Sequence, residues 1–269
     1  MDSIRYMEMS ELILLAMVEY SPEPEESGIL LTRSHSYQDY PLTPSHRYQT
    51  KLIKDLLDSD LITIEQTKQR TELQDIPFPT QFRLTLEKDQ TYAERIGQLR
   101  QLYSTKLTQK NYKTLKALAY EIVIEECVFF LRCCVKGTLL KSYDPDGEEN
   151  SEEVPRALKK ALDKMPAFAV FHQIEWGCKN QLAYAGRDEV SVEFATNKLL
   201  KSITWRLNNL EVRKFRPRKD VYGLQQSELS RIFFNKIIGI EDGGFNKLLS
   251  SLLDQALAEK IASDNENEK

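Results

Sequence analysis

Apolar residues recur along most of this chain at steps of three and four, the spacing of a helix with one buried face; they alternate with polar residues in only two places. Ile13, Leu14 and Met17 form such a stripe and predict a first helix over Ser10–Tyr20, with Ser10 as its cap. The acidic, proline-containing SPEPEES breaks it, and GILLTRSHSYQDY reads as a short strand followed by a short second helix or turn. Leu52, Ile53, Leu56 and Leu57 predict the next helix, starting near Thr43–Ser45 with Thr43 as cap and Pro44 in its first turn. Leu61 packs after the Asp-Ser-Asp turn that ends it. Ile62 and Ile64 then alternate with Thr63 and Glu65, and Phe82, Leu84 and Leu86 with Arg83, Thr85 and Glu87. Each run predicts an antiparallel strand with one wet face, and QTKQRTELQDIPFPT joins them.

From Asp89 onward the period is helical almost throughout. A helix or pair of helices is expected over Tyr92–Leu107, and helices over Leu107–Lys141, Val154–Lys164, Ala167–Ala185, Val190–Leu210, Gln225–Ile238 and Phe245–Ile261. DPDGEENSEE is an acidic loop, EVRKFRPRKDVYG an irregular or hairpin-like basic segment, and SDNENEK a frayed polar tail. The change of period divides the chain into a domain of residues 1–89, a helical domain of residues 90–262 and a tail of residues 263–269.

The order of elements in residues 10–87 resembles the winged helix-turn-helix superfamily. The fold class expected is therefore mainly α: an α+β winged helix-turn-helix followed by a larger all-helical domain. The resemblance implies that Ser45–Leu57 is the helix that enters the major groove and that residues 66–80 are the wing. Carried onto this chain, the contacts are Arg47, Gln49, Lys51 and Lys54 from the helix, with Lys68 and Arg70 from the wing. Arginine and glutamine can each pair with a base edge, while lysines neutralise phosphates. His46 and Tyr48 are further candidates for backbone contact.

Charge complicates this picture. The chain of 269 residues carries a net charge of −4, and residues 1–89 hold sixteen acidic residues against nine basic ones. Bulk electrostatics therefore do not draw it to nucleic acid; a local basic face must. Such a face is offered a second time between Lys198 and Lys219, where Lys198, Lys201, Arg206, Arg213, Lys214, Arg216, Arg218 and Lys219 stand against the single acid Glu211. Phe215 and Tyr222 add rings for stacking. The bland alternative is a solvated surface, or a basic partner for the acidic DPDGEENSEE.

Catalytic chemistry is poorly represented. Walker A, GxSxG, HExxH and GxGxxG patterns are missing, and the three histidines, His35, His46 and His172, have no nucleophile at a suggestive spacing. Glu121, Glu125 and Glu126, with His172 and Glu175, are the best metal-binding set, but a di-iron bundle requires Glu-x-x-His motifs that this chain does not contain. Glu125 is expected to pair with an arginine such as Arg132 or Arg206 instead. The four cysteines, Cys127, Cys133, Cys134 and Cys178, lack zinc spacing, and Cys133 and Cys134 read as core side chains. Trp176 and Trp205 read as core anchors. No apolar run reaches the length of a membrane span or has the flanks of a signal peptide, which predicts an intracellular, cytoplasmic protein.

The function expected is non-enzymatic nucleic-acid binding, as a DNA-binding regulator or a subunit of a nucleic-acid-directed complex, with no cofactor and no metal. DNA is the expected partner, RNA the alternative ligand, and a protein partner or a second copy the expected companion of the helical domain. Two other functions compete: an adaptor that uses the winged helix for protein contact, and a metal-dependent enzyme built on the helical glutamates and His172.

Overall fold

The computed structural model describes residues 7–21, 29–31, 41–65, 80–105, 108–145, 150, 152–186, 191–209, 226–240, 245–256 and 258. The protein is mainly helical, with a small three-stranded sheet near its N-terminus. It forms two compact units. The first comprises residues 1–118, 225–243 and 256–269; the second comprises residues 119–224 and 244–255. The chain thus returns near its C-terminus to the first unit.

In that first unit, helix α1 (Met9–Tyr20) buries every residue from Leu12 to Val18. The expected single stripe of Ile13, Leu14 and Met17 is thus only part of what is covered. Helix α2 (His46–Asp58), helix α3 (Tyr92–Arg100), strand β1 (Ile29–Leu31) and helix α8 (Glu228–Arg231) all pack on α1, which leaves it no wet face. Its cap position is Glu8, not Ser10, which lies inside the first turn.

Strand β3 (Thr80–Leu84) is the middle of the sheet, antiparallel to β1 on one edge and to β2 (Ile62–Ile64) on the other, in the order β1-β3-β2. Phe82 faces Ile29 across one ladder and Ile64 across the other, and it is fully buried. Arg83, on the wet face, pairs with Glu65, which also holds the guanidinium pKa above its ordinary value. Tyr92 OH accepts from the Leu84 N–H at 3.3 Å, tying the start of α3 to the sheet. Thr91 and Glu94 complete a reciprocal cap there, which lowers the Glu94 pKa. The segment expected as a helix or pair of helices over Tyr92–Leu107 is α3 followed by a tighter 3-10 turn, Gln101–Ser104.

Helix α4 (Gln109–Val135) contributes Gln109–Leu118 to the first unit and Ala119–Val135 to the second. It stops six residues short of the expected end at Lys141, where Gly137 takes a left-handed conformation at φ 73°. The second unit also contains α5 (Glu153–Leu162), α6 (Ala167–Ala185) and α7 (Val192–Asn209), together with a C-terminal helical stretch over residues 249–255. Phe130, Phe171 and Phe245 meet there in tilted and edge-to-face pairs, at centroid separations of 5.1 and 5.7 Å. Tyr120 OH donates to Asp163 at 2.8 Å, and the Phe168 N–H donates to the Phe245 carbonyl at 3.1 Å. The helix expected over Gln225–Ile238 is α8 continued by a π-helical stretch, Ile232–Ile238, and it belongs to the first unit.

Helices α6 and α7 approach closely because Gly177 has no side chain. A Cβ there would lie 2.6 Å from Ile203 Cγ1, well inside contact distance. We expect Gly177→Ala to destabilise the protein by about 1–3 kcal/mol, the usual cost of overpacking. Combined with Ile203→Ala, which removes the clashing atom but also buried surface, the loss should be smaller than the sum of the two single losses; thermal or chemical denaturation of the single and double variants measures the coupling.

Candidate nucleic-acid interface

Helix α2 has two faces of different chemistry. Tyr48, Leu52, Ile53 and Leu56 are buried, while Arg47, Lys51 and Lys54 are exposed at steps of four and three. Gln49, two residues from both Arg47 and Lys51, lies on the other side of the helix and is half-buried, and Leu57, expected in the stripe, is only partly covered. The cap is Ser45, whose hydroxyl oxygen accepts from the Tyr48 N–H at 3.1 Å. Thr43, the expected cap, donates its hydroxyl to the Ser45 carbonyl at 2.9 Å, and Pro44 stands outside the helix. Tyr48 is a packing residue and not a surface contact: it is 3 % exposed, and its hydroxyl lies 3.8 Å from Met9 Sδ. Lys51 extends over the Tyr48 ring, with Nζ 5.9 Å from its centre. Asp55 and Asp58 are exposed in the last turn, so the basic character belongs to the first two-thirds of the helix.

A tight turn sets the path of the chain beyond α2. Asp60 adopts a left-handed conformation at φ 52°, and the Leu61 N–H returns to the Leu56 carbonyl at 2.9 Å. This reverses the chain into β2 and the sheet. Among its described residues the N-terminal segment therefore runs α1, β1, α2, β2, β3 with sheet order β1-β3-β2, a topology consistent with a winged helix. The expected wing contacts, Lys68 and Arg70, lie outside the described residues.

Of the second basic group, Lys201 is exposed on α7. Arg206 lies in the same helix, but its side chain is not described, and Arg213, Lys214, Arg216, Arg218 and Lys219 lie outside the described residues. Lys201 borders a cleft of about 600 Å³ between α6 and α7, together with Asn180, Gln181, Tyr184, Phe194, Lys198 and Ser202. Two expectations are corrected on this unit. Trp205 is not a core anchor but is 65 % exposed, because it lies on the face of α7 opposite Leu199, Ile203 and Leu207. Cys133 is exposed and Cys134 half-buried, whereas Cys127 and Cys178 are buried. The helical spacing of Phe194 and Trp205 with the lysines was available in the sequence, but both rings were readable as apolar residues seeking cover.

Among the described residues, no group of three or more His, Cys, Asp or Glu is placed to hold a metal ion. Glu121, Glu125, His172 and Glu175 are thus not brought together as a metal site. Glu175 pairs with Lys179 at 2.5 Å, and Arg132 pairs with Asp144 at 3.6 Å. Burial pushes the Cys127 thiol well above its ordinary pKa, and Cys178, hydrogen-bonded to Cys134, is also raised, which suits inert core thiols. Among the described residues no helix is long and apolar enough to cross a membrane. Comparison with protein-family models, curated proteins and solved structures finds no match to this chain.

The division of α2 into a packing face and a charged face has a direct consequence for stability. We expect Tyr48→Ala to cost about 3–5 kcal/mol, as truncation of a buried aromatic does. Lys54→Ala should stay within about 0.5 kcal/mol of the parent, as at an open surface position. Denaturation midpoints of the two variants check this before any binding is measured.

Proposed function

We propose that this protein binds nucleic acid without catalysing a reaction, as a DNA-binding regulator or a subunit of a nucleic-acid-directed complex. In this reading the first unit is a winged helix-turn-helix that sets α2 against duplex DNA. The observation that carries it is one helix, packed on α1 and β2, that turns Arg47, Lys51 and Lys54 to solvent and buries Tyr48, Leu52, Ile53 and Leu56. In helix-turn-helix proteins the N-terminal part of the recognition helix meets the base edges, and here that part is the basic one. Arg47 would pair with bases, and Lys51 and Lys54 would neutralise phosphates, whereas Gln49 lies on the other side of the helix from them. Lys68 and Arg70, between the two strands in sequence, would add backbone contacts. The acidic balance of residues 1–89 would keep non-specific affinity low, so that discrimination between sites rests on the few groups of α2.

Duplex binding followed by fluorescence anisotropy from about 50 to 200 mM salt tests this reading. Four phosphate contacts, from Lys51, Lys54, Lys68 and Arg70, predict a slope of log affinity against log salt of about −3.6, at roughly −0.9 per phosphate neutralised. Lys51→Glu combined with Lys54→Glu should lower affinity more than tenfold and make the slope shallower by about two. Binding that ignores salt, or survives the double reversal unchanged, would return the α2 face to a protein-contact role. Reversal at Arg216 and Arg218 in a separate variant assigns any remaining affinity to the second basic group.

A further inference from the structure

Helix α7 presents four side chains in line: Phe194, Lys198, Lys201 and Trp205, at steps of four, three and four. All four are exposed, while Ala195, Leu199, Ile203 and Leu207 are buried on the opposite side. The line is about 16 Å long at 1.5 Å per residue and reads ring, cation, cation, ring. Large aromatic side chains seldom stand open to water, yet Phe194 is 47 % and Trp205 65 % exposed. Lys198 already lies over the Phe194 ring, Nζ 5.2 Å from its centre, so charge and ring form one surface. Beside the line, the cleft against α6 brings Tyr184 within 6.3 Å of Phe194, ring centre to ring centre. Its wall adds Asn180, Ser202 and Gln181, whose Oε1 is buried without a hydrogen-bond partner.

We propose that this surface binds a single-stranded nucleic acid, with unpaired bases stacked on Phe194 and Trp205 and the intervening phosphates on Lys198 and Lys201. The chemistry favours unpaired bases over a duplex, because bases within a duplex already stack on one another and offer an exposed ring nothing to cover it. It favours them over an acidic peptide, because carboxylates would use the lysines and leave both rings in water. The amides and hydroxyl of the cleft are placed to meet the polar edge of a base that turns inward, and a purely electrostatic site would not need them. The surface shares with α2 only the premise that the chain binds nucleic acid.

The test uses the full chain and labelled twelve-nucleotide oligo(dT) and oligo(U), with a twelve-base-pair duplex, free dTMP and UMP, and poly-glutamate as competitors. Both single strands should bind. Phe194→Ala and Trp205→Ala should each weaken them about tenfold, the range of one base–aromatic stack, and leave duplex binding unchanged. Lys198→Gln with Lys201→Gln should make the salt slope shallower by about 1.4, at roughly 0.7 per phosphate on a single strand. Phe194→Tyr and Trp205→Phe, which keep a ring, should restore most of the affinity, and matched melting curves show that the variants fold. Equal affinity of the ring-deleted and parent proteins overturns the proposal. So does competition by a mononucleotide or poly-glutamate as strong as that by the strand, or absence of single-strand binding while duplex binding persists. Loss of duplex binding in the Lys51→Glu, Lys54→Glu variant with single-strand binding intact would separate the two surfaces and support the assignment to α7.

Discussion

Two backbone hydrogen bonds fix where α2 begins. The N–H groups of Glu228 and Leu229, at the start of α8, donate to the carbonyls of Pro41 and Leu42 at 2.8 and 3.0 Å. The first N–H groups of any helix lack partners within it, and a buried donor left unpaired costs about 1–3 kcal/mol. Ser227 and Ser230 are fully buried here, so water is not an alternative partner for this turn. The cheapest solution is a second stretch of chain that needs donors, and residues 41–42 supply it. Once they are held, the Thr43 hydroxyl and the Ser45 cap fall into place, and the direction of α2 is set. The charged face of α2 therefore owes its placement to residues far along the chain, which explains why the first compact unit takes in residues 225–243.

The same helix shows how little its charged residues matter to folding. Burying Leu52, Ile53 and Leu56 contributes about 1.5–3 kcal/mol each, whereas an exposed charge on a helix is worth a few tenths. Packing holds α2, and the exposed positions are left to be chosen for other reasons. Strand β3 plays the matching part behind it: hydrogen-bonded along both edges, with Phe82 sealed at its centre, it makes a sheet of three strands from pieces too short to stand as a pair.

The elements legible in the sequence are those whose period decides them alone. Ala167–Ala185 is found where the spacing places it, and Leu52, Ile53 and Leu56 of the α2 stripe, the Asp-Ser-Asp turn and the alternation of Phe82 and Leu84 carry over directly. Three things were not legible, each because a partner distant in sequence decides them. The full burial of α1 depends on four elements that pack around it. The exposure of Trp205 depends on which face of α7 meets α6, and that is set by Gly177 against Ile203. The choice of Ser45 over Thr43 as cap depends on the tie between residues 41–42 and α8. For the candidate site, the basic residues of α2 could be named from spacing, whereas the line of rings and lysines on α7 required knowing which side of that helix is wet.

The order of charges along α2 runs against the helix dipole. Its first turn holds Arg47 and no acid, and its last turn holds Asp55 and Asp58 and no base. Each such charge costs about 0.3–1 kcal/mol at an exposed helix end, since the N-terminus favours anions and the C-terminus cations. Other helices of this chain obey the rule: α3 has Glu94 in its first turn and Arg100 in its last, and α5 has Glu153 and then Lys159 and Lys160. A protein that places charges correctly on those helices and inversely on α2 gives up local stability there. Cations beside the positive end of a helix raise the potential that this end presents to solvent, and an anion approaching it meets N–H dipoles and side-chain charge together. The acids at the far end repel the same anion. Since screening falls off over about 10 Å at 0.1 M salt, the net charge of −4 spread over the chain is weaker at this point than the arrangement within one helix. The inversion thus makes α2 a poorer isolated helix, and under the proposed function it would favour a polyanion that meets the exposed face nearer Arg47 than Asp58.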